Sequence, residues 1–264
     1  MTLSLTLVVP CYREAARLAP ERFLEFLETT EGTRLLFVDD GSPDDTPRVL
    51  RELAARRPDR IGVLTLPKNA GKGEAVRRGL LAAMERPTDL VGFWDADLST
   101  PLALVEEFRA LFAARPETAW VLGSRWRGLG RDIRRNALRH YLSRIFATVV
   151  SLMLDLPVYD TQCGAKLFRA DALFRQVLAD PFVSRWVFDV EMLARARLAA
   201  PEASLTRAWF ELPLDTWIHD GRSHLRPSDF AVAVFDLWRI KRRYPRSGPG
   251  LREGSTYSDQ RGGT

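Results

Sequence analysis

The 264-residue sequence predicts an α/β fold: a mostly parallel central sheet flanked by helices, with C-terminal helices suited to an interface. Three observations predict it. Short apolar runs, such as residues 3–9, 35–38 and 90–94, alternate with longer stretches that carry one apolar face. That is the pattern of buried strands joined by crossover helices. Each apolar run also closes in a polar cluster, where sheets of this kind bind ligands, beyond the carboxyl ends of their strands. Finally, 46% hydrophobic and 28% charged residues suit a globular chain with a full core, and exclude a wholly disordered or fibrous one.

The elements follow in order. Residues 3–9 form a buried strand ended by Pro10, and a helix spans 20–29. Residues 35–38 are a second strand, closing in Asp39-Asp40-Gly41-Ser42. A helix over 43–56 has Asp44 or Asp45 as its cap. Residues 61–66 are a strand, 71–86 a helix opened by glycine, 90–94 a strand, 101–115 a helix and 120–123 a strand. Past residue 125 the pattern changes. A long helix over 134–154 is basic at first and apolar later. Residues 160–169 and 205–220 read as strands or turns around a helix over 186–199. A helix over 228–244 has an apolar face of Phe230, Val234, Phe235, Leu237 and Trp238 and a basic end. One domain therefore covers 1–244. Residues 245–264, with five glycines and almost no apolar side chains, read as a disordered tail.

The net charge is +5, but it is concentrated. Residues 125–144 hold seven Arg and one Asp, a local +6 that exceeds the whole-chain value. A second basic cluster joins Arg239, Lys241, Arg242, Arg243 and Arg246. Neither comes with zinc-finger spacing or an RNA-binding aromatic motif, so nucleic acid is not the expected partner. Cys11 and Cys163 lack metal spacing and read as reduced, buried thiols of a cytoplasmic protein. Residues 1–9 do not resemble a signal peptide. The longest apolar run, 145–154, is shorter than the roughly 18 residues of a spanning helix.

Three clusters carry chemistry. Asp95-Ala96-Asp97 follows a buried strand, and two carboxylates one residue apart can share Mg²⁺ or Mn²⁺ with substrate phosphates. A solvated turn or a helix cap is the alternative. In Asp39-Asp40-Gly41-Ser42 a carboxylate can accept from a base N–H or a ribose hydroxyl; equally, the cluster can make a capped turn. Asn69-Ala70-Gly71-Lys72-Gly73 opens a helix whose free N–H groups, with Lys72, could hold a diphosphate, although a plain turn serves as well. It lacks the first Gly and trailing Ser/Thr of a P-loop.

Taken in order with Val8-Val9-Pro10-Cys11-Tyr12-Arg13-Glu14, these clusters resemble the family 2 inverting glycosyltransferases of GT-A (Rossmann-like) fold. The runs Asp160–Phe168, Arg185–Glu191 and Ser223–Pro227 look like the dolichyl-phosphate β-glucosyltransferase, or polyprenyl-phosphate hexosyltransferase, branch. The resemblance covers about residues 3–244 and divides them into a nucleotide-sugar half, 1–124, and an acceptor half, 125–244. It implies that Pro10, Tyr12, Glu14, Asp39 and Asp40, with Lys72, Gly73, Asp95, Ala96 and Gln162, bind the nucleotide sugar. Asp95 and Asp97 would bind the metal. Asp189 and Glu191 would line the sugar and acceptor region with Gln162. Arg125, Arg135, Arg139, Ser143 and His224 would seat an acceptor phosphate. Arg127, Arg131 and Arg144 read instead as a solvated helix face. Relatives of this branch commonly have Lys where His224 stands, and His is only partly charged at pH 7.

An acceptor phosphate is already mostly an oxyanion at neutral pH, so it needs cationic seating rather than a strong base. On this resemblance Asp97, Asp189, Arg125 and Arg139 are the expected catalytic residues. The expected reaction moves a hexose, glucose from UDP-glucose first, onto a polyprenyl or dolichyl phosphate at a membrane surface, with inversion. A hydroxyl acceptor, with Asp189 as base, is the alternative within enzymes, and a non-catalytic nucleotide-sugar-binding protein the alternative outside them. The 145–154 run and the last helix suit peripheral membrane docking; packing on the domain is the other reading of both.

Overall fold

A computed structural model describes residues 2–134, 137–199, 207–218 and 227–245, with side chains for all but 134, 137–140 and 227–231. The expected tail lies outside these residues except for its first, Pro245. Seven strands form one sheet in the order β3-β2-β1-β4-β7-β5-β8. These are β1 (Leu5–Cys11), β2 (Thr33–Asp39), β3 (Ile61–Thr65), β4 (Leu90–Trp94), β5 (Trp120–Ser124), β7 (Ala165–Arg169) and β8 (Trp209–Pro213). A separate parallel pair joins β6 (Asp132–Arg134) to β9 (Thr216–Ile218). The helices are α1 (Pro20–Thr29), α2 (Thr46–Arg56), α3 (Lys72–Ala83), α4 (Val105–Ala114), α5 (Ala137–Leu154), α6 (Ala172–Val177), α7 (Phe188–Ala199) and α8 (Pro227–Arg243).

The alternation of β1 sorts the core. Leu5, Leu7, Val9 and Cys11 pack with Phe23 and Leu27 of α1, Leu50 and Leu53 of α2, and Phe108 and Phe112 of α4. Val8 points the other way, into Val76 and Leu80 of α3 and Phe188 and Met192 of α7. A strand buried on both faces must be apolar at successive positions, as this run is.

The sheet is mostly parallel, as expected, with β7 alone running antiparallel between β4 and β5. Three expectations change. Strand β1 does not stop at Pro10 but continues to Cys11. Odd positions of β1 bond toward β2, since Leu5 N donates to Gly32 and Cys11 O accepts from Asp40 N. Pro10 therefore turns its missing N–H toward β4, where pairing has already ended at Val8↔Phe93. Helix α2 starts at Thr46, because Asp44 Oδ1 draws Thr46 N (3.2 Å) and its hydroxyl (2.6 Å) into a local turn. Residue 134, expected in a helix, ends β6.

The apolar face expected of α8 splits. Ala233, Leu237 and Ile240, at i, i+4 and i+7, are buried, while Val234, Phe235 and Trp238 are exposed. Phe230 is outside the described side chains. On α5, Ala147, Val150 and Leu154 are buried and Tyr141, Leu142, Ile145, Val149 and Leu152 are exposed. Among the described residues no helix is long and apolar enough to cross a membrane.

Candidate active site

Strand β1 pairs with β2 as far as Cys11↔Asp39 but leaves β4 after Val8↔Phe93. The sheet opens there, at the point where successive connections turn to opposite sides, which is where open α/β sheets bind ligands. The residues following β1, β2 and β4, the start of α3 and the loop before β7 surround this opening. Their charges are felt mutually. Burial raises the Glu14 pKa, Arg17 opposes that rise, and Asp97 and Asp95 add to it. Lys72 feels Asp95, Asp189 and Asp97.

On one side stand Pro10, Tyr12, Glu14, Asp39 and Asp40. Asp40 spends its carboxylate on the chain: Oδ1 accepts from Ala70 N (2.7 Å), Oδ2 from Gly71 N (2.8 Å) and Asn69 Nδ2 (2.9 Å). Burial still leaves its pKa above the ordinary value. Asp39 is different. Its Oδ1 accepts from Ser42 N (3.1 Å), but Oδ2 is buried without a partner. Glu14 Oε2 is also buried without a partner, while Oε1 pairs with Arg17 at 2.5 Å. Orphaned buried oxygens are costly unless a ligand donor meets them, so Asp39 and Glu14 are acceptors this structure leaves open on that side. Tyr12 is exposed under the Arg13 guanidinium, 5.5 Å from the ring centre.

Three of the amides expected to be free at the start of α3 are taken. Besides Ala70 and Gly71, Gly73 N is taken by Arg185 O at 3.1 Å. Arg185 also donates to the Asn69 side chain and lies over Gly71, whose φ of 96° only glycine adopts without strain. What reaches the opening is Lys72, with Nζ 2.5 Å from Asp95 Oδ1. Burial works against its charge, yet Asp95 carries the Lys72 pKa above its ordinary value.

Asp95 is fixed from behind. Its N–H donates to Gly164 O at 2.9 Å, and a methyl group on Gly164 would lie 1.9 Å from Asp95 Oδ2. Ala96 is buried and Asp97 exposed, with Asp97 Oδ1 accepting from Ser99 N at 2.9 Å. Among the described residues no three His, Cys, Asp or Glu side chains converge as a cage. Two hard carboxylates at a strand end fit Mg²⁺ or Mn²⁺, ions that take few protein ligands and share the rest with phosphates and water.

Toward β7 and α7 the charges pair with each other. Lys166 Nζ lies 2.7 Å from Asp189 Oδ1, both side chains buried. Burial holds the Asp189 pKa up, and Lys166 counters it. Arg125, expected at an acceptor phosphate, instead forms a bidentate pair with Asp160 through Nε (2.6 Å) and Nη2 (2.7 Å). Sequence could not show this, because Asp160 lies a whole helix away. Glu211 in turn holds Tyr159 N and Asp160 N at 2.7 and 2.8 Å. The loop so fixed carries Thr161 Oγ1 and Gln162 Nε2, both buried without partners.

Glu191 does not line the opening. It is fully buried, accepting from Val183 N (2.7 Å), Arg195 (2.7 Å) and the Tyr244 hydroxyl (2.9 Å). Its place two residues after Asp189 made it look like a site residue only in the linear pattern. Arg131 and Arg144 are not plain solvated residues: Arg131 pairs with Asp215 (2.6 Å), and Arg144 stacks on Tyr159 at 3.4 Å. Ser143 lies on α5, half-buried. Arg135, His224 and the Arg139 side chain fall outside the described residues. Sequence reasoning missed Gly164, Lys166, Asp160 and Arg185. Each lies in or beside the runs Asp160–Phe168 and Arg185–Glu191, so the signal was present without a role.

The pattern described as glycosyl transferase family 2 matches residues 6–175. The chain belongs to that family. Family 2 members similar to it include a dolichyl-phosphate beta-glucosyltransferase of Trichomonas vaginalis, 32% identical over 89% of this chain and 70% of that protein. Another, from Drosophila melanogaster, is 34% identical over 84% and 73%. The human protein of that name is 31% identical over 85% and 74%. The chain is a glycosyltransferase with the GT-A sheet and flanking helices. Its fold is shared by glucosyl-3-phosphoglycerate synthase from Mycobacterium tuberculosis, solved with Mn²⁺, UDP-glucose and phosphoglyceric acid. The TM-score is 0.66 at 20% identity, covering 93% of this chain and 82% of that one.

Proposed function

We propose that this family 2 glycosyltransferase moves glucose from UDP-glucose onto a polyprenyl phosphate such as dolichyl phosphate, with Asp95 and Asp97 holding Mg²⁺ or Mn²⁺. The relatives named for that reaction, at 31–34% identity over most of the chain, support the substrate pair. The structural observation that carries the reading is the buried Lys166–Asp189 pair. It pins the carboxylate best placed to act as a base, which suits a nucleophile that is already an anion.

Asp39 Oδ2 and Glu14 Oε2 accept from the nucleoside, and Tyr12 lies alongside. Lys72 meets the diphosphate. When bound, the divalent ion supplies charge neutralisation for the departing diphosphate. Thr161 Oγ1 and Gln162 Nε2 are the unpartnered groups left for the sugar. Arg135, Arg139, Ser143 and His224 remain the candidates for the acceptor phosphate within the local +6 of residues 125–144. The lipid is met at a membrane surface through the exposed apolar residues of α5 and α8, flanked by Arg239, Lys241 and Arg242.

Incubation with radiolabelled UDP-glucose tests this. Label passing into the organic phase only when polyprenyl phosphate is present supports it. Transfer to 3-phosphoglycerate or another soluble hydroxyl, with none to the lipid, replaces it with the hydroxyl-acceptor reading, in which Asp189 would have to leave Lys166 to act as the base.

A further inference from the structure

We propose that Lys72 is an exchangeable counter-ion at the metal position. It holds Asp95 until a divalent ion and a nucleoside diphosphate arrive together, and so makes metal binding depend on the diphosphate. The inference rests on the reading of Asp95 and Asp97 as metal ligands.

Four observations carry it. First, Lys72 Nζ sits 2.5 Å from Asp95 Oδ1, in the space a cation bound to that oxygen would need. A divalent ion and an ammonium on one carboxylate oxygen would repel each other within a few ångströms, where exposure screens the repulsion but does not remove it. Second, the lysine is the partner free to move. Its side chain is about a third exposed on a flexible stem. Third, Asp95 is not free to move: its N–H is bonded to Gly164 and its carboxylate packs against the Gly164 Cα. Fourth, of the two other carboxylates that Lys72 feels, Asp97 belongs to the same proposed metal site and the other is already matched. Asp189 is paired with Lys166 at 2.7 Å, so a displaced ammonium gains little there.

A diphosphate resolves this. It gives the displaced ammonium an anionic partner and supplies the oxygens that complete a site with two carboxylates. Without it, a metal ion must expel Lys72 into water. The coupling is reciprocal, so the metal must raise nucleotide affinity by the same factor as the nucleotide raises metal affinity.

Mn²⁺ titration of the full chain, followed by the electron paramagnetic resonance signal of free Mn²⁺ with and without UDP, tests the proposal. Lys72→Gln is expected to bind Mn²⁺ without UDP about tenfold more tightly than the parent, and to show a smaller tightening when UDP is added. Lys72→Met should behave alike, which separates charge from any hydrogen bond the amide makes. Unchanged or weaker Mn²⁺ binding in both variants overturns the proposal. Asp97→Asn should lose Mn²⁺ binding under both conditions. If it does not, the metal reading itself falls, a result distinct from failure of the Lys72 variants alone.

Discussion

Two Lys–Asp pairs of nearly equal length lie beside the same opening and do different work. At the mouth, Lys72 and Asp95 meet at 2.5 Å with about a third of each side chain exposed. Behind it, Lys166 and Asp189 meet at 2.7 Å with almost none exposed. Coulomb attraction at a given distance depends on its surroundings, and so does the cost of parting. Water can take over at the mouth when the pair separates. Water cannot at the back, where Lys166 stands on β7 beside β4, its ammonium 5.1 Å from the centre of the Phe93 ring and, among the described residues, otherwise donating only to Cys163 O. Distance alone would call the pairs equivalent; burial makes one exchangeable and the other part of the frame.

The largest expected effect bears on the mouth. Asp97→Ala should lower glucose transfer by about a hundredfold or more, since on the proposed metal reading it removes one of two carboxylate ligands. Full activity, measured at saturating substrates, would detach the mouth from the chemistry. Next comes the contrast in stability. Asp189→Asn leaves the buried Lys166 ammonium with Cys163 O but no counter-charge and should cost about 3–5 kcal/mol in urea unfolding. Lys72→Gln should cost less than about 1 kcal/mol. Equal losses would break the distinction. Gly164→Ala should act on Asp95 alone, pushing its carboxylate out of line. Transfer should fall by about tenfold or more with little change in unfolding midpoint, read by kinetics and melting together.

The smallest effect is a reference for pairs of neither kind. Asp89 accepts from Ser4 N (2.8 Å) and its hydroxyl (2.7 Å), bonds that hold its pKa below the ordinary value. A depressed carboxylate stabilises above its unfolded pKa and loses that contribution as pH falls through the folded one. Stability should therefore decline slightly below about pH 4, and less so in Asp89→Asn.

The first half of the fold was legible because each strand is a contiguous apolar run and each helix a periodic one. Helix α1 and strand β4 fall on the residues expected of them. What sequence did not reveal is pairing between distant segments. Nothing in Ala165–Arg169 says that it runs against its neighbours. The short β6 and β9 have three residues each and, among the described strands, pair only with one another, while Ile133 and Trp217 pack into the core beneath the sheet. The site divides the same way. Asp95, Asp97 and Lys72 come together because strand ends in such a sheet share one rim. Arg125 gave no sign in the sequence of its partner, Asp160, which reaches it only through tertiary structure. Asp39 and Asp40 are adjacent, yet one is consumed by the Asn69–Gly71 loop and the other keeps an orphaned oxygen. That division depends on loop conformation and not on residue type.

The reversed direction of β7 has a consequence for how such enzymes diversify. A strand laid against its neighbours delivers its leading loop, not its trailing one, to the rim where the forward strands end, as Trp94↔Ala165 shows. The chain between β5 and β7 thus leaves and rejoins the sheet at one rim, so its length and polarity can vary without moving β1, β2 or β4, provided that Val150 and Leu154 of α5 keep their places in the core.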